Sequence, residues 1–162
     1  MLTRHIMSQP VAVCQLSDSL DQAARLMWED DCGAVPVVDS AGRAVAMLTD
    51  RDICMAAYTQ GKPLGQISVS SAMSKDLRAC LPDDTLEQAE QLMMEYQLRR
   101  IPVLDDDGHP VGILSLNDLA RAANHQHPAA PAGLDGVSPL TAARTMAAVC
   151  APRLQAAGPR LS

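Results

Sequence analysis

The sequence predicts an α+β fold: two tandem β-α-β-β-α repeats followed by a C-terminal tail. From Met7 to Asp52, 17 of 46 positions are identical to their partners 66 residues later, without a gap, where unrelated chains agree at roughly one position in fifteen. Within each copy, helical and strand-like apolar patterns follow one another in the same order. Each copy also carries the same signal, an apolar run closed by a hydroxyl and then, three residues on, a carboxylate. It reads Met47-Leu48-Thr49-Asp50-Arg51-Asp52 in one copy and Ile113-Leu114-Ser115-Leu116-Asn117-Asp118 in the other.

Residues 1 to 6 form a short lead. Met7 to Val13 carry the β-prone Val11 and Val13 behind a proline, and Met73 to Cys80 is the later copy, so a short strand is expected in each. Ser19 with Gln22, and Thr85 with Gln88, have the spacing of a capping box. Behind these caps, Leu20, Ala23, Ala24 and Met27 form one apolar stripe, and Leu86, Ala89 and Met93 form the other. Ala34 to Asp39 and Ala44 to Leu48 flank a glycine-containing turn, as do Ile101 to Leu104 and Val111 to Leu114, which predicts two hairpins. Pro36 and Pro102 cannot donate to a ladder, so each is expected where its strand is unpaired on that side and a ligand can approach the backbone.

A second helix closes each unit, from Arg51 to about Tyr58 and from Asn117 to about Asn124, with Gln60 to Ser70 read as the linker. The division that follows is 1–62 for the first repeat, 63–124 for the second and 125–162 for an Ala- and Pro-rich tail. In that tail, Ser138-Pro139-Leu140 suits a helix start, with Leu140, Ala143, Ala147 and Cys150 on one side. Residues 125 to 137 are expected to be mobile and removable.

Composition excludes several functions. Aromatics are 2% of the chain, so the platforms on which single-stranded nucleic acid stacks are nearly absent. The net charge is −6, from 19 acidic residues against 13 Lys and Arg, which gives no basic stripe for a duplex. No apolar run approaches the roughly 18 residues of a membrane span. Five cysteines stand far apart with no Cys-x-x-Cys spacing and no signal segment before them, so reduced thiols in a cytoplasm are expected. Cys14 and Cys80 are paired by the repeat and read as small core residues. His125 and His127 have metal-ligand character but no third ligand close by. A nucleophile with its base, a Gly-rich phosphate loop and a metal cluster are all missing, which argues against an enzyme.

The duplicated order of strand, helix, x-Pro-Val-x-Asp, turn glycine and Thr/Ser-x-x-Asp resembles a tandem pair of cystathionine-β-synthase-type (CBS) domains, the arrangement called a Bateman module. The resemblance covers about Leu2 to Asn124. It implies two repeats packed about a pseudo-twofold through their sheets, with two clefts that bind adenine nucleotides or S-adenosylmethionine, no obligatory cofactor, and control of a partner protein. Carried over by position, it puts Asp52 and Asp118 on ribose hydroxyls, with Thr49 and Ser115 beside them on ribose or phosphate. A carboxylate can accept both hydrogen bonds of a vicinal diol, and a helix N-terminus favours phosphate. Pro10, Val11, Asp76 and Leu77, with Val35, Pro36, Ile101 and Pro102, would line the adenine. Arg51, Arg99 and Arg100 would clamp phosphate. Where the second copy has Arg99 and Arg100, the first has Gly33 and Ala34, so unequal clefts are expected.

Two readings follow. One is a regulatory module sensing an adenosine-containing ligand. The other is a structural or adaptor dimer with empty clefts, for which the Gly33-Ala34 departure and the acidic surface speak, Thr/Ser-x-x-Asp being also a plain helix cap. Apolar stripes on two helices per repeat leave faces that a homodimer would cover.

Overall fold

The computed structural model describes residues 1–123 and 138–152. The first repeat runs β1 (Cys14–Gln15), α1 (Leu20–Glu29), β2 (Ala34–Val38), β3 (Ala44–Thr49) and α2 (Asp50–Gln60). The second runs from a single parallel bridge at Cys80 through α3 (Leu86–Tyr96), β4 (Arg100–Leu104), β5 (Pro110–Ser115) and α4 (Leu116–Ala123), and α5 (Pro139–Cys150) follows.

The caps act as their spacing predicts. Ser19, Thr49 and Thr85 each accept from the backbone amide three residues on, and Gln22, Asp52 and Gln88 reach back in return. Each such cap contributes about 1 kcal/mol. In both hairpins the register shifts at the same place, between Val37 and Val38 and between Val103 and Leu104. The turn aspartates Asp39 and Asp105 each fold an oxygen back onto two turn amides, Ala41 and Arg43 in one and Asp107 and His109 in the other. Those backbone bonds hold both carboxyls below the usual range. The two turns meet across the pseudo-twofold, where the Ala44 amide donates to the Gly108 carbonyl at 2.9 Å. The mirror bond is impossible, because the counterpart of Ala44 is Pro110, which has no N–H.

Pro36 and Pro102 are tolerated for a specific reason. Pro36 stands opposite Met47 in the β2–β3 ladder, but the Met47 amide and carbonyl turn outward to Ser74. On the other side the Cys80 amide donates to the Pro102 carbonyl at 3.1 Å, so that proline serves only as an acceptor.

The first strands depart from expectation. Strands were predicted over Met7 to Val13 and Met73 to Cys80, whereas β1 is two residues long and its later copy is one bridge. The cause is that each segment divides its bonds between two sheets. Ser8 bonds both ways with Ile113 on β5 of the second repeat, and Cys14, six residues on, pairs with Val37 of the first. Ser74 likewise joins Met47 of the first repeat before Cys80 joins the second. The exchange continues upstream: the Leu86 amide donates to the Met1 carbonyl and the Leu20 amide to the Ile67 carbonyl, both at 2.9 Å. Met1, Ile6 and Met7 therefore pack in the second core, and Leu64, Ile67 and Val69 in the first. The stretch read as a linker sends Ile67 and Val69 into the first core from short 3-10 turns at Leu64–Gln66 and Val69–Ser71, while Gln60 to Pro63 stay exposed.

The C-terminal helix α5 packs on α3 and α4 rather than standing loose. Its buried residues are Ala142, Thr145 and Val149, and Leu140 is 71% exposed, so the face in contact is not the predicted one. Residues 125 to 137 and the His125 and His127 pair lie outside the described residues. Among the described helices, none is long and apolar enough to cross a membrane.

Two clefts between the repeats

Each cleft is built from the first turn of one repeat's second helix and the crossing segment of the other. The Asp118 cleft has a volume of about 720 Å³. Ser115 and Asp118 at the start of α4 face Pro10 and Val11 there, with Asp30 and Arg121 at its rim. The Asp52 cleft, of about 530 Å³, sets Thr49, Arg51 and Asp52 at the start of α2 against Asp76 and Arg78. Both volumes suit a nucleotide-sized ligand. Arg99 and Arg100 line both clefts, as does Gly33. The Leu116 amide donates to the Arg99 carbonyl at 3.0 Å, and the Asp50 amide to the Gly33 carbonyl at 3.2 Å, which seats these residues beside the two helix N-termini. An ideal Cβ on Gly33 would lie 3.0 Å from Asp50 Oδ2 and 3.3 Å from Arg100 Nη1, so a side chain there would crowd both.

The two carboxylates are held differently. Asp118 is 1% exposed, and its Oδ2 accepts from the Ser115 amide at 2.7 Å and from the Ser115 hydroxyl. Its Oδ1 accepts from the Ser8 hydroxyl at 2.8 Å and pairs with Arg121. Asp52 uses Oδ2 alone, accepting from the Thr49 amide at 2.9 Å and the Thr49 hydroxyl at 2.6 Å. Its Oδ1 takes no hydrogen bond from any described residue.

Of the other residues expected to line adenine, Val35 and Ile101 are completely buried in the two cores, and Pro36 and Pro102 are buried in β2 and β4. Leu77 is half-buried and lines neither cleft. Sequence reasoning missed Ser8, Arg78, Gln97 and Arg121. Arg121 was within reach, since it stands three residues after Asp118 on one helix face. Ser8 is identical to Ser74 in the other copy, which by itself points to no role. Arg78 stacks over the Tyr96 ring at 4.2 Å, which holds its guanidinium at the mouth of the Asp52 cleft.

Cys14 and Cys80 are core residues, as expected. They are buried against the Pro36 and Pro102 carbonyls, and burial pushes each thiol up to about 12. Cys32 lines the Asp118 cleft and Cys150 the Asp52 cleft. Among the described residues, no group of His, Cys, Asp or Glu is placed to hold a metal ion.

Two interlocked repeats with a ligand-sized cleft at each side of their junction define a paired-repeat module. The chain belongs to the CBS domain family, whose model matches residues 4–58 and 62–125. It is 42% identical over 114 residues to the CBS domain-containing protein YhcV of Bacillus subtilis, covering 70% of this chain and 79% of that one. Among solved structures it is similar to Hypoxic Response Protein I, which carries two coordinated zinc ions, at 29% identity and a TM-score of 0.67. That match covers 75% of this chain and 98% of the other. It is also similar to the CBS domain pair of MJ0100 in complex with 5'-methylthioadenosine and S-adenosyl-L-methionine, at 26% identity and a TM-score of 0.67, with the same coverage.

Proposed function

We propose that the protein is a non-catalytic regulatory module that binds an adenosine-containing ligand between its repeats and passes the bound state to a partner protein. The observation that carries this reading is the Asp52 cleft. There, a carboxylate with one uncommitted oxygen stands on a helix N-terminus between Arg51, Arg99 and Arg100. The carboxylate suits a ribose diol, and the amides and guanidiniums suit phosphate. The complex of MJ0100 with methylthioadenosine and S-adenosylmethionine supports the ligand class.

Calorimetry with adenosine, AMP, ADP, ATP, NAD and S-adenosylmethionine tests it. Binding of at least one, weakened by about 1.5 to 3 kcal/mol in Asp52→Asn, is the expected result, that being the worth of a hydrogen bond to a charged group. Heat from none of them would remove the reading.

A scaffolding role is favoured at the other cleft, because Asp118 already spends both oxygens inside the protein. The module acts as a homodimer through α1 and α2 of the first repeat, where Trp28 and Tyr58 are more than four-fifths exposed. Its setting is the cytoplasm, without nucleic acid or an obligatory cofactor.

A further inference from the structure

The C-terminal helix reaches one cleft and not the other. Val149, Cys150 and Ala151 line the Asp52 cleft, whereas no described residue of α5 lines the Asp118 cleft. The contact is fastened by Gln97, itself in the lining of the Asp52 cleft and held at the C-cap of α3 with φ of 50°. From there its Nε2 donates to the Ala148 carbonyl at 3.4 Å and the Ala151 carbonyl at 3.3 Å. Carbonyls in the last turn of a helix lack intrahelical partners. A residue of the cleft thus donates to the Ala151 carbonyl and adds to the bond that the Ala148 carbonyl takes from the Ala151 amide, which ties the end of α5 to the cleft wall.

The chemistry of that wall is one-sided. Val149, Ala151 and the Cys150 thiol present small apolar surface, and a helix C-terminus carries the negative end of its dipole, which repels phosphate. The same cleft is also lined by the N-terminus of α2, with Arg51 and Asp52, which favours phosphate. A nucleoside lying along it therefore sets its ribose and any phosphate toward α2 and its base toward α5.

We propose that the Asp52 cleft is completed by the C-terminal helix, so that an adenosine-containing ligand seated there touches Val149, Cys150 and Ala151 as well as Asp52 and clamps α5 onto the second repeat. This rests on the ligand reading above. Binding and docking of α5 are then linked in both directions: ligand slows the release of α5, and loss of α5 weakens binding.

The chain carries its own reporters. Cys150 lies in this cleft, Cys32 in the other, and Cys54 is exposed on α2 and lines neither. Alkylation of the full-length protein by iodoacetamide, read by mass spectrometry at each thiol, is run with adenosine or AMP at concentrations set by calorimetry. At ten times the dissociation constant about one cleft in eleven is free, so Cys150 alkylation slows about tenfold while Cys54 is unchanged. Amide exchange over residues 139–150 slows in the same samples. Asp52→Asn, which keeps the size of the capping side chain and is checked for an unchanged melt, loses the protection of Cys150. Measured heat with an unchanged Cys150 rate, or with protection confined to Cys32, overturns the proposal and leaves ligand binding standing. No heat with either nucleoside removes both.

Discussion

The two clefts descend from one repeated motif, yet their carboxylates do different work. Asp118 is buried and latched from three sides, by Ser115 on its own helix start, by Ser8 from the crossing segment and by Arg121 one turn along. Asp52 closes its cap and keeps an oxygen in reserve. The cause lies outside the motif. Ser74, the counterpart of Ser8, turns its hydroxyl to the Met47 amide, and the counterpart of Arg121 is Met55. One hydroxyl-and-acid pair thus becomes a structural latch where its neighbours supply donors, and an open acceptor where they do not.

Removing each carboxylate tests this most strongly. Asp118→Ala removes the buried acceptor shared by the Ser115 amide, the Ser115 hydroxyl and the Ser8 hydroxyl and is expected to cost about 3 kcal/mol, because each part-buried donor left unsatisfied costs about 1 to 3 kcal/mol, while the half-exposed Arg121 returns to water. Asp52→Ala loses a cap, about 1 kcal/mol. Urea unfolding measures both, and equal costs would erase the distinction between latch and acceptor. The crossing segment sharpens it next. An ideal Cβ on Gly112 would stand 2.5 Å from Met7 Sδ and 3.2 Å from the Ser8 carbonyl, whereas the first repeat has Ala46 at that position. Gly112→Ala should therefore push Ser8 away from Asp118 and cost about 1 to 2 kcal/mol as overpacking. Adding Met7→Ala should recover part of that, and no recovery in the same unfolding assay would mean the backbone contact decides.

The smallest effect concerns the covered helix face. Glu90, the counterpart of Ala24, is buried where α5 packs, and its Oε1 lacks a partner among the described residues. Burial pushes its carboxyl up, the Thr145 hydroxyl opposes, and Glu87 on the same helix adds to the rise. Thr145 has one proton to give, and the Thr141 carbonyl 3.1 Å away competes for it. A carboxyl raised in the folded state takes up a proton on folding, so stability falls as pH rises from the ordinary carboxylate range through the raised value. Glu90→Gln should flatten that part of the melting profile and raise stability at neutral pH by about 1 kcal/mol. An unchanged profile would place the pH dependence elsewhere.

What the sequence shows plainly is local. Capping boxes at Ser19, Thr49 and Thr85, and turn glycines at positions 42 and 108 with φ of 79° and 86°, specify their elements through neighbours a few residues away. The crossing segments escaped because their partners lie in the other repeat: nothing near Ser8 in sequence points to Ile113. The docking face of α5 escaped for a related reason. In Pro139–Cys150, small and apolar residues fall on every side, and only the surface of α3 and α4 selects Ala142, Thr145 and Val149. Arg99 and Arg100 were read as belonging to one cleft, but the pseudo-twofold sets them between two.

The exchanged lead segments have a consequence for how the molecule comes apart. Met1, Ile6 and Met7 are part of the second core, and Ile67 and Val69 part of the first. Neither half can open without pulling a piece out of the other, so a chain that began as two copies melts as one cooperative body. A protease cutting near Lys62, in the exposed stretch between α2 and Leu64, would sever the peptide and leave the assembly whole.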